Sequence, residues 1–189
     1  MKRGLLIVIS GPSGVGKDTL IKRLLELDRN LVYSVSGTTR TPRDGEKADE
    51  NYTFLTRADF EALVAQGAFL EHATYNGNLY GTFKDRVESA RASGCDVVLK
   101  IDVQGAEQVR KQMPDATSIF VVAPSDEELL RRLEARGSES AQDLEARHEI
   151  AKREMKLADH YAHVVINDDV GRAVAEIHGI IDDARHRVT

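Results

Sequence analysis

Hydrophobic positions alternate between two rhythms along this chain. Residues 5–9 are five consecutive large apolar side chains, the pattern of a strand buried on both faces. Residues 18–27 then repeat at helical spacing, with Leu20, Leu24 and Leu27 on one face. A short strand at 32–35 leads into 36–46, which has no periodicity and is dominated by hydroxyls, arginines and turn formers. Residues 52–55 alternate as a strand, and Thr56-x-x-Asp59 resembles a capping box opening a helix over 57–66, closed by Gly67. A strand at 69–75 meets Asn76-Gly77, a type I′ hairpin signal. There follow a helix at 84–92, an apolar strand at 96–102 ending in an acid, a helix at 104–112 and a strand at 118–123. Ser125-x-x-Glu128 caps a helix over 126–136, residues 137–143 are a polar break, and a charged helical pattern spans about 144–160. A strand at 163–166 and an amphipathic helix at about 169–186 end the pattern. Strands alternating with helices on either side of 34–82 predict an α/β fold with a parallel, helix-covered sheet. Residues 34–82 are then a small, mostly antiparallel excursion.

Composition narrows this only a little. The 189 residues, 41% hydrophobic and 30% charged, suffice for one good-sized core. A net charge of −5 argues against a general nucleic-acid binder, and the ten Phe and Tyr with no Trp form no platform for single strands. The single cysteine, Cys95, excludes an intrachain disulfide and fits a reducing cytoplasm; it is expected as a small, partly buried residue opening a strand. The first apolar run stops too early for a signal peptide and no run is long enough to cross a membrane, so a cytoplasmic location with no membrane partner is expected. His160-x-x-His163 straddles a helix end without further ligands at metal spacing. No internal repeat stands out.

The chemistry is concentrated in a few stretches. Gly11-Pro12-Ser13-Gly14-Val15-Gly16-Lys17 places G-x4-G-K between a hydrophobic strand and a helix, the context that makes a phosphate-binding P-loop credible. The glycines let backbone N–H groups turn inward toward a polyphosphate at the helix N-terminus, and Lys17 adds a full charge where β- and γ-phosphates lie. The next residue, usually a metal-binding Ser or Thr, is Asp18, followed by Thr19. The strand ending at Asp102 has the shape of a Walker B strand, which sets a carboxylate beside the metal. Arg40 and Arg43 flank Pro42 and suit a bidentate grip on phosphate. Arg132 and Arg136 share a helix face and Arg147 stands beyond the polar break, an arrangement for a lid carrying guanidiniums or, equally, for intrahelical ion pairs. Glu71, between Leu70 and His72, can accept the two parallel hydrogen bonds of guanine N1–H and N2–H₂, or can be a surface residue of an edge strand.

Together these stretches resemble guanylate kinase over nearly the whole chain. The resemblance is carried by residues 10–17, by Ser34-Val-Ser-Gly-Thr-Thr-Arg-Thr-Pro-Arg43, and by Asn51-Tyr52, Phe69-Leu-Glu71 and Asn78-Leu-Tyr-Gly81. Ile101-Asp-Val-Gln-Gly105, Arg132-Leu-Glu-Ala-Arg-Gly137 and Val165-Ile-Asn-Asp168 complete it. It implies a P-loop NTPase fold with a three-layer α/β/α core at 1–33, 83–125 and 149–189, a GMP-binding region at 34–82 and a helical lid at 126–148. It also implies transfer of the γ-phosphoryl group of ATP, with Mg²⁺, to GMP, giving ADP and GDP, in purine nucleotide metabolism. The family's phosphate grip on GMP falls on Arg40, Arg43, Tyr52 and Tyr80, and its guanine readers fall on Ser36, Glu71 and Thr82, where many relatives have Ser at the last. ATP contacts fall on residues 11–19 and Asn167, lid arginines on Arg132, Arg136 and Arg147, and an acid near metal and acceptor on Asp102. Catalysis is then expected from Lys17, Arg40 and the lid arginines.

Two positions depart from the family pattern. Relatives usually carry Ser, or Gly followed by Thr, at position 18 and an acid at position 100; here these are Asp18 and Lys100. The two changes compensate if Lys100 pairs with Asp18; alternatively Asp18 ligates Mg²⁺, as Asp102 does in the Walker B reading. Two other readings stay open on sequence: a guanylate-kinase-like module that binds phosphorylated partners, and a P-loop kinase for a different phosphate. The sequence leaves monomer or homo-oligomer undetermined.

Overall fold

The computed structural model describes residues 2–135 and 141–187. Strand β1 (Leu6–Ser10) is buried at all five positions, as an apolar run inside a helix-covered sheet must be. The larger sheet has five strands in the order β2-β7-β1-β8-β9, and every pairing described in it is parallel. No helix among the described residues is long and apolar enough to cross a membrane. The chain divides into two compact units, residues 2–6 with 30–116 and residues 7–29 with 117–187.

In the first unit β2 (Leu31–Tyr33) pairs in parallel with β7 (Asp96–Lys100), Leu31 opposite Asp96. Beside them is a four-stranded mixed sheet, ordered β4-β3-β6-β5, from β3 (Gly37–Thr38), β4 (Thr53–Phe54), β5 (Phe69–Tyr75) and β6 (Asn78–Phe83). Here the pattern needed correction. The strand expected at 32–35 stops at Tyr33, that at 52–55 keeps two residues, and the expected loop contains β3, too short for periodicity to reveal. The β5–β6 hairpin turns at Asn76 (φ 47°) and Gly77 (φ 74°), as the type I′ signal requires.

One face of this sheet meets α2 (Arg57–Ala65) in a core of Phe60, Phe69 and Phe83, where Phe60 and Phe69 stack with centroids 4.5 Å apart. Gly37 and Gly81 lie under these rings; a Cβ at Gly81 would stand 2.8 Å from Phe69 and 3.0 Å from Phe60. Thr56 caps α2 by accepting from the Asp59 N–H at 3.1 Å, while its hydroxyl donates to the Asp59 carboxylate at 2.6 Å. Phe60 is fully buried. Phe60→Ala is therefore expected to cost about 3–5 kcal/mol of stability in urea unfolding; a loss below about 1 kcal/mol would mean that this core collapses around the cavity. Helices α3 (Lys84–Ala92) and α4 (Val103–Gln112) complete the unit, α4 beginning one residue ahead of expectation.

In the second unit β1 pairs with β8 (Thr117–Val122), and β8 with β9 (His163–Ile166). α1 (Lys17–Leu27) buries Leu20, Ile21 and Leu24. Leu27, expected on that buried face, is the last residue of the helix and is exposed, so the core ends one turn earlier. α5 (Asp126–Ala135) is capped by Ser125, whose hydroxyl accepts from the Glu128 N–H. α6 (Ala141–Met155) begins inside the polar break expected at 137–143, the earlier part of which lies outside the described residues, and ends short of the 144–160 pattern; a separate 3₁₀ turn occupies Ala158–His160 before β9. α7 (Val170–Arg187) buries Ala173, Val174, Ile177 and Ile181, the i, i+1, i+4, i+8 stripe of an amphipathic helix.

Candidate active site

In the second unit the segment between β1 and α1 folds as a glycine loop. Gly11, Gly14 and Gly16 have φ of 137°, 90° and 93°, which L side chains rarely adopt. Gly11 also lies so close to the Val121 carbonyl that no Cβ fits. Gly16 is the N-cap of α1, and no side chain caps it, so the first N–H groups and the positive end of the helix dipole face the loop's interior. The Lys17 ammonium bends back over the loop and donates to the carbonyls of Gly11 and Pro12, the latter at 2.8 Å. Asp18 stands exposed in the first turn of α1, favoured by the same dipole.

Residues from distant parts of the same unit brace this loop. Asn167, after β9 and buried, donates its side-chain N–H to the Val15 carbonyl at 2.7 Å, and its backbone N–H to Val122. Arg132 donates to the Asn167 carbonyl at 3.0 Å and to Glu128 at 2.6 Å. Arg131 and Arg132 together hold the Glu128 carboxyl well below the usual carboxylate range. The Arg147 guanidinium, from α6, donates to the Ser13 hydroxyl at 2.9 Å. Two of the three expected lid arginines thus reach the phosphate loop or its brace. Arg136 lies outside the described residues.

In the first unit a register shift decides what Glu71 does. Phe69 pairs with Phe83, but Glu71 pairs with Thr82 rather than Gly81, so β5 carries one extra residue at Leu70. Simple alternation would put Glu71 on the phenylalanine face. The bulge turns it to the opposite face, with Thr82 directly across and Tyr80 two residues away. Glu71 is only 4% exposed, which removes the reading of a surface edge-strand glutamate. Its carboxylate accepts from the Thr82 hydroxyl at 2.6 Å, and a Cβ on Gly105 would collide with its other oxygen. Burial pushes its pKa from 4.5 to about 7; the Asp102 charge adds to the rise and the Thr82 hydrogen bond opposes it. Ser36 is buried in the same unit, next to β3.

The same face carries an aromatic and cationic cluster. Tyr52 and Tyr80 meet edge to face with centroids 6.0 Å apart. The Arg40 guanidinium lies 5.3 Å and the Lys100 ammonium 5.9 Å from the Tyr52 ring centroid, so two cations stand over one ring. Glu46, which the sequence reading did not single out, holds Arg40 through both oxygens at 2.7 and 2.9 Å and accepts the Arg43 backbone N–H at 2.8 Å. That hydrogen bonding raises the Arg40 pKa and lowers that of Glu46. Its only sequence signal was an acid three residues after Arg43 in a loop of turn formers. The Arg43 side chain is exposed. Asp102, after β7, caps α4 by accepting from the Gly105 N–H at 2.8 Å.

Such an arrangement can hold a polyphosphate on one unit, and on the other a phosphate beneath tyrosines and an arginine together with a base that offers donors to a buried carboxylate. A family model described as guanylate kinase matches residues 3–184. The chain is 50% identical over 177 residues to a guanylate kinase of Rubrobacter xylanophilus, covering 94% of this chain and 93% of that protein. It is 46% identical over 187 residues to one from Caldanaerobacter subterraneus subsp. tengcongensis, with coverage of 99% and 91%. Its structure is similar to the crystal structure of guanylate kinase from Anaplasma phagocytophilum, with a TM-score of 0.81 and 34% identity over 97% of this chain and 87% of that one.

Proposed function

We propose, since the chain belongs to the guanylate kinase family, that it transfers the γ-phosphoryl group of ATP to the phosphate of GMP and releases ADP and GDP. The observation that carries the guanine assignment is the buried Glu71 carboxylate, turned by the bulge onto the face of Tyr52 and Tyr80. Guanine offers N1–H and N2–H₂ as parallel donors, whereas adenine offers an acceptor at N1. In this reading Ser36 and Thr82 supply hydroxyls to the base, and Arg40, Arg43, Tyr52 and Tyr80 hold the GMP phosphate.

ATP binds with its phosphates over residues 11–19, against the N–H groups of the loop and of the first turn of α1. Lys17 exchanges the Gly11 and Pro12 carbonyls for phosphate oxygens. Asn167 supports the loop and lies on the adenine side. A GMP phosphate oxygen, already anionic, attacks the γ-phosphorus as the bond to the β,γ-bridging oxygen breaks and ADP takes the electron pair. No strong general base is needed, and the protein contributes alignment and positive charge. Arg132, Arg136 and Arg147 supply that charge from the lid. Asp18 and Asp102 have the hard carboxylate oxygens that would suit Mg²⁺, which would neutralise phosphate charge when bound with ATP. The single cysteine, Cys95, supports a cytoplasmic setting.

The test is Mg²⁺- and ATP-dependent turnover with GMP, run beside AMP, UMP and dTMP. GDP formation with strong preference for GMP is the expected result. Binding of GMP without turnover would instead favour a phosphate-binding module, and preference for another monophosphate would overturn the guanine assignment.

A further inference from the structure

β5 is the outer strand of the four-stranded sheet, so the backbone groups of Leu70 and His72, on either side of Glu71, point away from β6. An edge of this kind must be covered or paired. Here α4 pairs it with side chains. Gln108 donates its side-chain N–H to the His72 carbonyl at 2.7 Å and accepts the His72 N–H at 3.2 Å, which is the two-bond exchange of a neighbouring strand. One turn on, Gln112 donates to the Leu70 carbonyl at 2.9 Å. The spacing fits because four helical residues rise about 6.0 Å while two strand residues span about 6.8 Å.

The same helix face holds the Glu71 surroundings from the other end. Asp102 caps α4 through the Gly105 N–H, and Gly105 leaves just enough room for the Glu71 carboxylate. Residues 102, 105, 108 and 112 recur at helical spacing, so one rigid element bears the acid at the start of α4, the floor under Glu71 and both glutamines. The bulge interrupts the β5–β6 ladder at Leu70 and bends the strand there. The three hydrogen bonds from α4 hold the two residues that flank Glu71 on the strand's other edge.

We propose that Gln108 and Gln112 are positioning residues for base recognition: they clamp the outer edge of β5 so that Glu71 presents both oxygens in line with guanine N1–H and N2–H₂. This rests on Glu71 being the guanine reader. A plain edge cover would stabilise the sheet without acting on one substrate more than another. A clamp acts on the alignment of two parallel hydrogen bonds, for which a misplacement of about 1 Å can cost about 100-fold.

The experiment compares steady-state kinetics with GMP, with IMP (which lacks the N2 amino group) and with ATP as the varied substrate. For Gln108→Ala/Gln112→Ala we expect KM for GMP to rise about 10- to 100-fold, the GMP-to-IMP preference to narrow, and KM for ATP to stay within about two-fold. Gln112→Leu, which keeps size but removes the donor, should show part of this loss, and Gln112→Lys, which restores a donor, should recover it. These single changes carry the test if the double variant does not fold. Glu71→Gln is run alongside. If it keeps the parent's GMP preference, Glu71 is not the reader and the clamp falls with it. If it loses that preference while the glutamine variants keep parental KM and GMP-to-IMP ratio, the clamp alone is overturned. Equal losses for GMP, IMP and ATP would also overturn it, since they would mark a general structural role.

Discussion

Glu71→Gln is expected to lower kcat/KM for GMP by about 10³–10⁴-fold, the cost of two hydrogen bonds to a charged acceptor with one partner left facing a donor. The same substitution should make the substrate-free protein more stable at alkaline pH. The folded pKa of Glu71, about 7, lies above its ordinary 4.5. As pH rises from about 4.5, the unfolded chain releases this proton first, so folding stability is fullest below that value and declines through pH 7. The ionised, buried carboxylate carries a penalty on the order of 3 kcal/mol, which a neutral glutamine avoids. Urea unfolding at pH 5 and pH 8 should therefore show the variant's advantage growing with pH. A constant or shrinking advantage would contradict the assigned burial cost. With Glu71 as the proposed guanine reader, catalysis should run the other way, because only its ionised form would accept both guanine donors. KM for GMP should fall as pH rises through about 7 in the parent. The phosphate of GMP also titrates, near pH 6, so the informative quantity is the step that Glu71→Gln removes and the phosphate leaves behind.

Arg147→Met is the second large effect. It should reduce kcat by about 10³-fold or more, as expected for a guanidinium that stabilises charge on a transferring phosphoryl group. KM for GMP should move far less, since Arg147 sits on the Ser13 side, within the unit that carries the phosphate loop. Single-turnover measurements with saturating ATP and GMP separate this from slow product release. A variant that loses affinity for ATP but keeps its single-turnover rate would assign Arg147 to ground-state binding. Arg132 is a less clean probe: its bonds to Glu128 and the Asn167 carbonyl tie it to the brace of the loop, so its removal should disturb ATP binding as well as rate.

How much of this could be read from sequence varied from residue to residue. Lys17 and the three loop glycines were legible because strand, loop and helix are consecutive, and each glycine is required by a backbone angle the loop imposes. The hairpin turn at Asn76-Gly77 was legible for the same reason. Glu71 was not legible from pattern alone: a glutamate between Leu70 and His72 suits an exposed edge strand, and only the resemblance favoured the buried reading. Glu46 carried almost no signal, since its partner Arg40 is chosen by how the loop folds. Leu20, Leu24 and Leu27 do fall on one helix, but Leu27 is exposed, because periodicity predicts a face and not where along the helix the core stops.

The sequence by itself determined the alternation of buried strands and helices, the phosphate loop and the chemical types gathered in 34–82, since these depend on neighbours a few residues apart. Tertiary structure alone decided which face Glu71 occupies, that β3 and β4 pair in parallel, and that Gln108 and Gln112 serve as a strand partner for β5. Each of those depends on register between segments distant in the chain. A one-residue shift in register reverses every side chain, and residues local to either segment do not encode it.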